Sequence, residues 1–325
     1  MSQSLRRITL LFAFCFFVLA GNTTSHSNAS PAPASPEFSV SVTPPFRFVV
    51  LGDTRFHDPT DTTAANAQVR QAMVAAISKE HPSLISITGD IVYNGAEVSD
   101  WSVWDTEAAP WQRDHIPIYP ALGNHDLKGN ESAALANYFA RFPQIDKSRY
   151  YSVRFGNCLM LVLDSSQDET SGAQGDWLQQ QLDHLPGSVS FVFVMLHHPP
   201  YTSSSDDKLF GGGHSARNKE LALAQMLEAR QQKLRARIIV LTGHVHNYEH
   251  HQSGGIDYIV SGGGGAHPYA ITRKPEDLYQ SNEVNYHYLL INVTADRAVI
   301  TMNRLDVSAG HESWSQPDTV VIKAR

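Results

Sequence analysis

The sequence predicts an α/β fold, and three observations carry that prediction. Apolar runs of strand length alternate with helix-spaced stretches over residues 46–241, the pattern of a mostly parallel sheet with crossover helices. Five of those runs stop at a polar, metal-competent side chain: Asp53, Asp90, Asn124 with His125, His197, and the pair His244 and His246. After His251 the chain turns rich in strand-like runs, which predicts a second sheet packed on the first.

In order, residues 46–51 make a short apolar strand that stops at Gly52, Asp53 and Thr54. Residues 64–79 set Val69, Met73, Ala76 and Ile77 at helical spacing. The run 84–88 is a second strand, stopping at Gly89 and Asp90. Ser99 stands in capping position for a helix bearing Trp101, Val103, Trp104 and Ala108. Residues 116–122 give a third strand, which stops at Gly123, Asn124, His125 and Asp126, and a helix follows near 132–142. Residues 150–155 and 159–163 read as a hairpin turning at Gly156 and Asn157. A helix over 174–185 leads to a strong strand over 189–196, ending at His197, His198, Pro199 and Pro200. The loop 202–217 has the length of a lid or an unstructured connection. A helix over 219–234 and a strand over 237–241 then deliver His244 and His246. Four more strands are expected at 256–260, 286–293, 298–305 and 319–322, and Gly262 to Gly265 read as a flexible turn. No internal repeat is visible.

At 325 residues the chain can bury a large core, as one big domain or two small ones. Its formal net charge of −7 argues against a general nucleic-acid binder, whose affinity rests on basic surface. Residues 1–21 read as a secretory signal: Arg6 and Arg7 precede an apolar run over 8–20 that is short for a membrane span. Its removal would take the charge to −7 − 2 = −9, and the mature protein is expected to be secreted or periplasmic with no membrane span. Residues 22–44, rich in Ser, Thr, Asn and Pro, read as a disordered linker, leaving 45–325 as the folded domain. Cys15 goes with the signal. Cys158 is then the one remaining cysteine, so neither an intrachain disulfide nor thiolate-based metal binding is expected.

Alternate side chains of an extended segment point to one side, so His244 and His246 can enter one pocket together. Imidazole is the commonest protein metal ligand near neutral pH. With Asp53, Asp90, Asn124 and His197 they make six oxygen and nitrogen donors at strand ends, where ligands collect in parallel sheets. Such donors suit iron, zinc, manganese or cobalt. Six are more than one tetrahedral site needs and suit two ions sharing a carboxylate. An ion pair of this kind can bind a phosphate ester and generate a hydroxide that attacks phosphorus in line with the leaving oxygen. Taken singly, each residue has an ordinary alternative. Asp53 and Asp90 could cap helices, and Asn124 and Asp126 could form turns. His197 could be a satisfied buried histidine, Tyr93 a packed aromatic, and Arg55 an ion-pair residue. The joint arrangement carries the metal reading.

The blocks GD at 52–53, GDIVY at 89–93, GNHD at 123–126, VMLH at 194–197 and GHVH at 243–246 resemble the calcineurin-like metallophosphoesterase superfamily in order and spacing. Tyr93 and the run GHVHNYE resemble its purple acid phosphatase branch, in which a tyrosinate binds ferric iron. The resemblance implies a four-layer α/β/β/α sandwich of two mixed sheets with a dinuclear metal site at the strand ends. It implies a hydrolase of small phosphate esters using two ions, of iron, zinc or manganese. Asp53 and His246 would hold the first ion, Asp90 would bridge, and Asn124, His197 and His244 would hold the second. His125 would face the leaving group as general acid or as stabiliser of the phosphoryl oxygens, with Asp126 orienting it.

One position departs from the family pattern. Two residues past the first aspartate the family carries His, or Gly in the purple branch; here it is Arg55, which only donates and cannot ligate. Tyr93, or in second place His57, is expected to complete the first site. Arg55 could clamp a substrate phosphate, with His198 as a further substrate contact. His57, His198, His214, His250, His251 and His267 are otherwise expected to face solvent or stand behind the ligands. Monoesters are the first expectation for substrate, diesters or nucleotides the second. A non-catalytic metal-binding relative is the reading from another class, and the retained His125 argues against it.

Overall fold

Two mixed sheets of seven strands each pack face to face in a computed structural model that describes residues 36–205, 214–308 and 311–325. The first sheet runs β1 (Glu37–Val40), β5 (Tyr151–Phe155), β6 (Cys158–Val162), β7 (Phe191–Met195), β8 (Arg237–Thr242), β10 (Ile256–Ser261), β9 (Tyr248–Ser253). The second runs β13 (His311–Ser315), β12 (Arg297–Ser308), β11 (Tyr286–Val293), β2 (Phe46–Leu51), β3 (Ile85–Ile87), β4 (Ile118–Pro120), and β14 (Thr319–Lys323) also pairs with β12. The expected signal, residues 1–21, lies outside the described residues, as do 22–35 and the middle of the long loop.

Central strands such as β6, β7 and β8 read as continuous apolar runs because both their faces are covered. In β6 and β7, Met160, Val162, Phe191, Phe193 and Met195 face the other sheet. Their neighbours Leu159, Leu161, Val192 and Val194 face α5 (Gly172–Asp183) and α6 (Asn218–Gln231). Phe48 of β2 meets Phe155 and Phe193 edge-on, with centroids 5.2 and 5.1 Å apart, and so joins the two sheets. Each such ring removed from water stabilises the sandwich by roughly 1.5–3 kcal/mol. Helix α1 (Ala67–Glu80) packs on the second sheet through Val69, Met73 and Ile77, and α2 (Val98–Glu107) and α3 (Ala109–Arg113) bring Trp101, Trp104 and Trp111 into the same core. The fold is the expected four-layer sandwich.

Three expectations about its assembly are corrected. The late strands do not build a second sheet by themselves. β10 joins β8 in the first sheet, and β11 pairs antiparallel with β2, Leu289 opposite Val50, so both sheets draw on both halves of the chain. The supposed linker is ordered as far back as β1, which pairs parallel with β5 and packs Phe38 against Tyr119 and Tyr151. A strand edge supplies the backbone partners that composition alone could not reveal. Ser99 is no cap: α2 starts at Val98, one residue before it, and the Asp100 carboxylate in the first turn accepts from the Asn94 amide (2.9 Å).

One buried charge makes a pH-dependent prediction. Burial, then the neighbouring Glu220 carboxylate, push Glu169 from 4.5 up to about 7, against the pull of Lys219, 3.5 Å away. Neither carboxyl oxygen of Glu169 accepts a hydrogen bond. The folded state therefore holds a proton that the unfolded chain has released. This group's contribution is complete below about pH 4.5 and is lost as pH rises through about 7, on the order of 1–3 kcal/mol. Glu169→Gln keeps the neutral shape. Thermal melts between pH 5 and about 8 should show the wild type losing more stability than the variant; parallel profiles would remove Glu169 from the acid–base balance.

Candidate metal centre

The carboxyl ends of β2, β3 and β4 from one sheet and of β7 and β8 from the other converge on one pocket. Asp53, Asp90, Asn124 and His125, His197, and His244 and His246 follow those strands in that order. The turns that aim them are left-handed: φ is 58° at Asp53, 55° at Asp90 and 70° at His244. Such backbone is uncommon for residues with a side chain and persists where the surroundings impose it. Glycine is needed where the ends touch. A Cβ on Gly243 would lie 2.5 Å from Asp53 Oδ2. The glycines 262–265 are not the flexible turn expected. Gly264 N donates to Gly52 O (2.9 Å), Ala266 N donates to Asp53 O (2.8 Å), and a Cβ on Gly264 would lie 2.5 Å from Gly52 O. This run is packed flat beneath Asp53, so its glycines serve close approach rather than mobility.

Asp90 sits at the middle. Its Oδ1 accepts from the His125 amide (2.8 Å) and lies 3.4 Å from His197 Nε2; its Oδ2 accepts from Arg55 Nη2 (3.3 Å). His197 Nδ1 donates to the Thr88 carbonyl (2.9 Å), which turns the Nε2 lone pair inward, 3.0 Å from Asn124 Oδ1 and 3.2 Å from His244 Nδ1. His246 Nδ1 donates to the His267 carbonyl (2.9 Å), which aims Nε2 at Asp53 Oδ1, 3.6 Å away. Both of these last atoms are buried and without a hydrogen-bond partner. Lone pairs converging at these distances, with buried acceptors left unpaired, are what a cation site requires. The donor set fits the metals that oxygen and nitrogen ligands favour.

The electrostatics agree. Burial, then Arg55, hold His246 well below its usual range, and burial also depresses His197, so both imidazoles are neutral and can ligate. Burial would raise the Asp90 carboxyl; the His197 ring opposes this only when it carries a proton, while the fixed Arg55 charge and the His125 amide on Oδ1 hold Asp90 low throughout. Burial, then Asp90, push Asp53 upward.

Several expected roles change. Asp126 does not touch the His125 ring. Its Oδ2 accepts from the amides of Asp90 (2.8 Å) and Gly123 (2.9 Å), and its Oδ1 from those of Ile91 (2.9 Å) and Val92 (3.3 Å). Burial and Asp90 push this carboxyl up, and the backbone amides pull it down. With four N–H donors on its two oxygens we assign the anion, since a proton would displace one of them. His125 is oriented instead by Nδ1 donating to the Tyr93 carbonyl (2.6 Å), a backbone partner that no side-chain motif announces. His57 cannot complete the first site: its nitrogens are held by Asp100 Oδ1 (2.6 Å) and Asp61 Oδ2 (3.3 Å). The Tyr93 ring packs between His57 and His125, with Lys128 Nζ 3.9 Å over its face.

Two more histidines come closer than expected. His198 pairs with Ser165 Oγ (2.8 Å), and its ring lies 4.3 Å from that of His244. His214, from the long loop, stacks 4.7 Å from His244 and 5.3 Å from Tyr269. Loop residues carry no periodicity that could have placed it. His250 and His251 are buried in hydrogen bonds to Asp257 and Glu249. A separate group, Glu249, His251 and Asp277, is satisfied internally by Thr202, Ser203, Tyr279 and Arg273 and leaves no comparable gap.

The family model of calcineurin-like phosphoesterases matches residues 46–248. Purple acid phosphatase 23 of Arabidopsis thaliana is 24% identical over 238 residues, 63% of this chain and 47% of that protein. Among solved structures, the purple acid phosphatase PPD1 from yellow lupin superposes with a TM-score of 0.67 at 16% identity, covering 87% of this chain and 54% of that one. GAP50, the anchor in the inner membrane complex of Plasmodium, superposes with a TM-score of 0.63 at 15% identity, covering 86% and 89%. The chain thus spans about half the length of the purple acid phosphatases it matches.

Proposed function

Since the chain belongs to the calcineurin-like phosphoesterase family, we propose that it is a metal-dependent hydrolase of small phosphate esters, monoesters foremost. The observation that carries this reading is the buried, unpartnered pair of Asp53 Oδ1 and His246 Nε2 beside the converging atoms of Asp90, Asn124, His197 and His244. In this reading Asp53 and His246 would hold one ion, Asn124, His197 and His244 would hold a second, and Asp90 would serve both. Bound iron, zinc or manganese supplies polarisation of the phosphoryl oxygens and a nucleophilic water. His125 works from the other side. With Nδ1–H committed to the Tyr93 carbonyl, its Nε2 is the atom that delivers a proton, or a hydrogen bond, to the leaving oxygen. The same bond keeps the ring from turning. Export also belongs to the proposal and rests on Arg6, Arg7 and the apolar run after them.

The test is a panel of phosphate mono- and diesters with purified protein and added iron, manganese or zinc. Monoester turnover that a chelator removes and metal restores is expected. Ions bound without turnover of any ester would instead favour the non-catalytic relative.

Tyr93 decides the branch. If it binds ferric iron as tyrosinate, iron-loaded protein shows a visible charge-transfer band, and Tyr93→Phe bleaches it while metal remains bound. An active, iron-replete and colourless protein would exclude the tyrosinate.

A further inference from the structure

Arg55 stands where the family places a ligand or a glycine, and its side chain turns into the site. Its φ of 46° is left-handed backbone that favours glycine. Two contacts lock that backbone: Arg55 N donates to Asp90 O (3.0 Å), and Arg55 O accepts from Arg70 Nη1 (3.4 Å). Arg70 is itself buried and paired with Glu107. The guanidinium so aimed is largely enclosed, 15% exposed, and donates to Asp90 Oδ2 (3.3 Å), while its Nε is buried without a partner. The other carboxyl oxygen, Oδ1, faces His197 and thereby the Asn124–His244 side.

The two halves of the pocket are therefore unequal. An ion on the Asn124, His197 and His244 side finds Asp90 Oδ1 already turned toward it. An ion on the Asp53 and His246 side must take Asp90 Oδ2 from a fixed cation and then sit beside that cation. Arginine cannot relieve the repulsion by losing its proton.

We propose that Arg55 is a built-in competitor for the first metal position, so that the chain binds one ion tightly at Asn124, His197, His244 and Asp90 and a second one weakly at Asp53 and His246. The inference rests on the metal centre proposed above and concerns only how its two positions differ. Like charges a few ångströms apart in a partly enclosed site weaken the second step by at least about tenfold. Arg55 then sets which metal concentrations yield the two-ion form.

The test is calorimetric titration of the metal-free full chain with Mn²⁺, with bound metal counted by elemental analysis after dialysis. The wild type should take one ion tightly and a second at least about tenfold more weakly. Arg55→Gly suits the left-handed backbone. It should strengthen the second step by about tenfold or more and leave the first within about threefold. Arg55→Lys, which keeps a charge, should recover less than half of that gain. His246→Ala should abolish the weak step alone. Two steps of equal affinity in the wild type, or a folded Arg55→Gly whose second step is unchanged, would overturn the inference while leaving the metal centre standing. Absence of Mn²⁺ binding by both proteins would overturn both.

Discussion

Asp90→Asn should lower turnover by about a thousandfold or more, equivalent to roughly 4 kcal/mol of lost transition-state stabilisation. Asp90 is fully buried, and its two oxygens face opposite halves of the pocket, one toward His197 and the other toward Arg55. Among the described residues it is the carboxylate placed to serve both of the proposed ions. Asparagine has the same shape but lacks the charge, and its amide would present a donor either to Arg55 or to His197 Nε2. Turnover, circular dichroism and bound metal should be measured on the same preparation. Intact folding with lost activity and reduced metal is the expected result. Unchanged turnover in a folded variant would remove Asp90 from the centre.

Asp126→Ala should be the most destabilising substitution near the site, costing about 4 kcal/mol or more in unfolding free energy. The carboxylate accepts four backbone amides, those of Asp90, Ile91, Val92 and Gly123, and is itself fully buried. Alanine leaves all four donors in a pocket that nothing else fills, and each unpaired buried group costs about 1–3 kcal/mol. Asp126→Asn keeps one acceptor oxygen and should fall between. Urea midpoints of the three proteins order them. A loss below about 1 kcal/mol for alanine would mean that water satisfies the amides in its place. The result also separates two roles: a residue that only oriented His125 would affect turnover without this stability loss.

Much of the centre is legible in local sequence patterns. A donor at the end of an apolar run is one such pattern, with a glycine before it at Asp53, Asp90, Asn124 and His244 and a leucine at His197. Its repetition marks the residues that converge here, because parallel strands bring their carboxyl ends to one edge. The alternation of strands and helices indicates the α/β class in the same local way. Assignments that need a partner distant in sequence fare worse. Asp126 reads as a neighbour of His125, yet it binds amides about 35 residues back. His57 reads as a spare ligand, but Asp100 holds it.

The sequence by itself therefore determined the strand and helix runs, the donor set, the family blocks and the anomaly at Arg55, since each is written in residue type and short spacing. Only the tertiary structure decided that β10 joins the first sheet while β11 extends the second, that the Tyr93 carbonyl rather than Asp126 orients His125, that glycines 262–265 pack rather than flex, and that Arg55 reaches Asp90. All but the last depend on which backbone amides and carbonyls meet, and every residue but proline offers the same pair of those groups; the last depends on two side chains 35 residues apart in sequence.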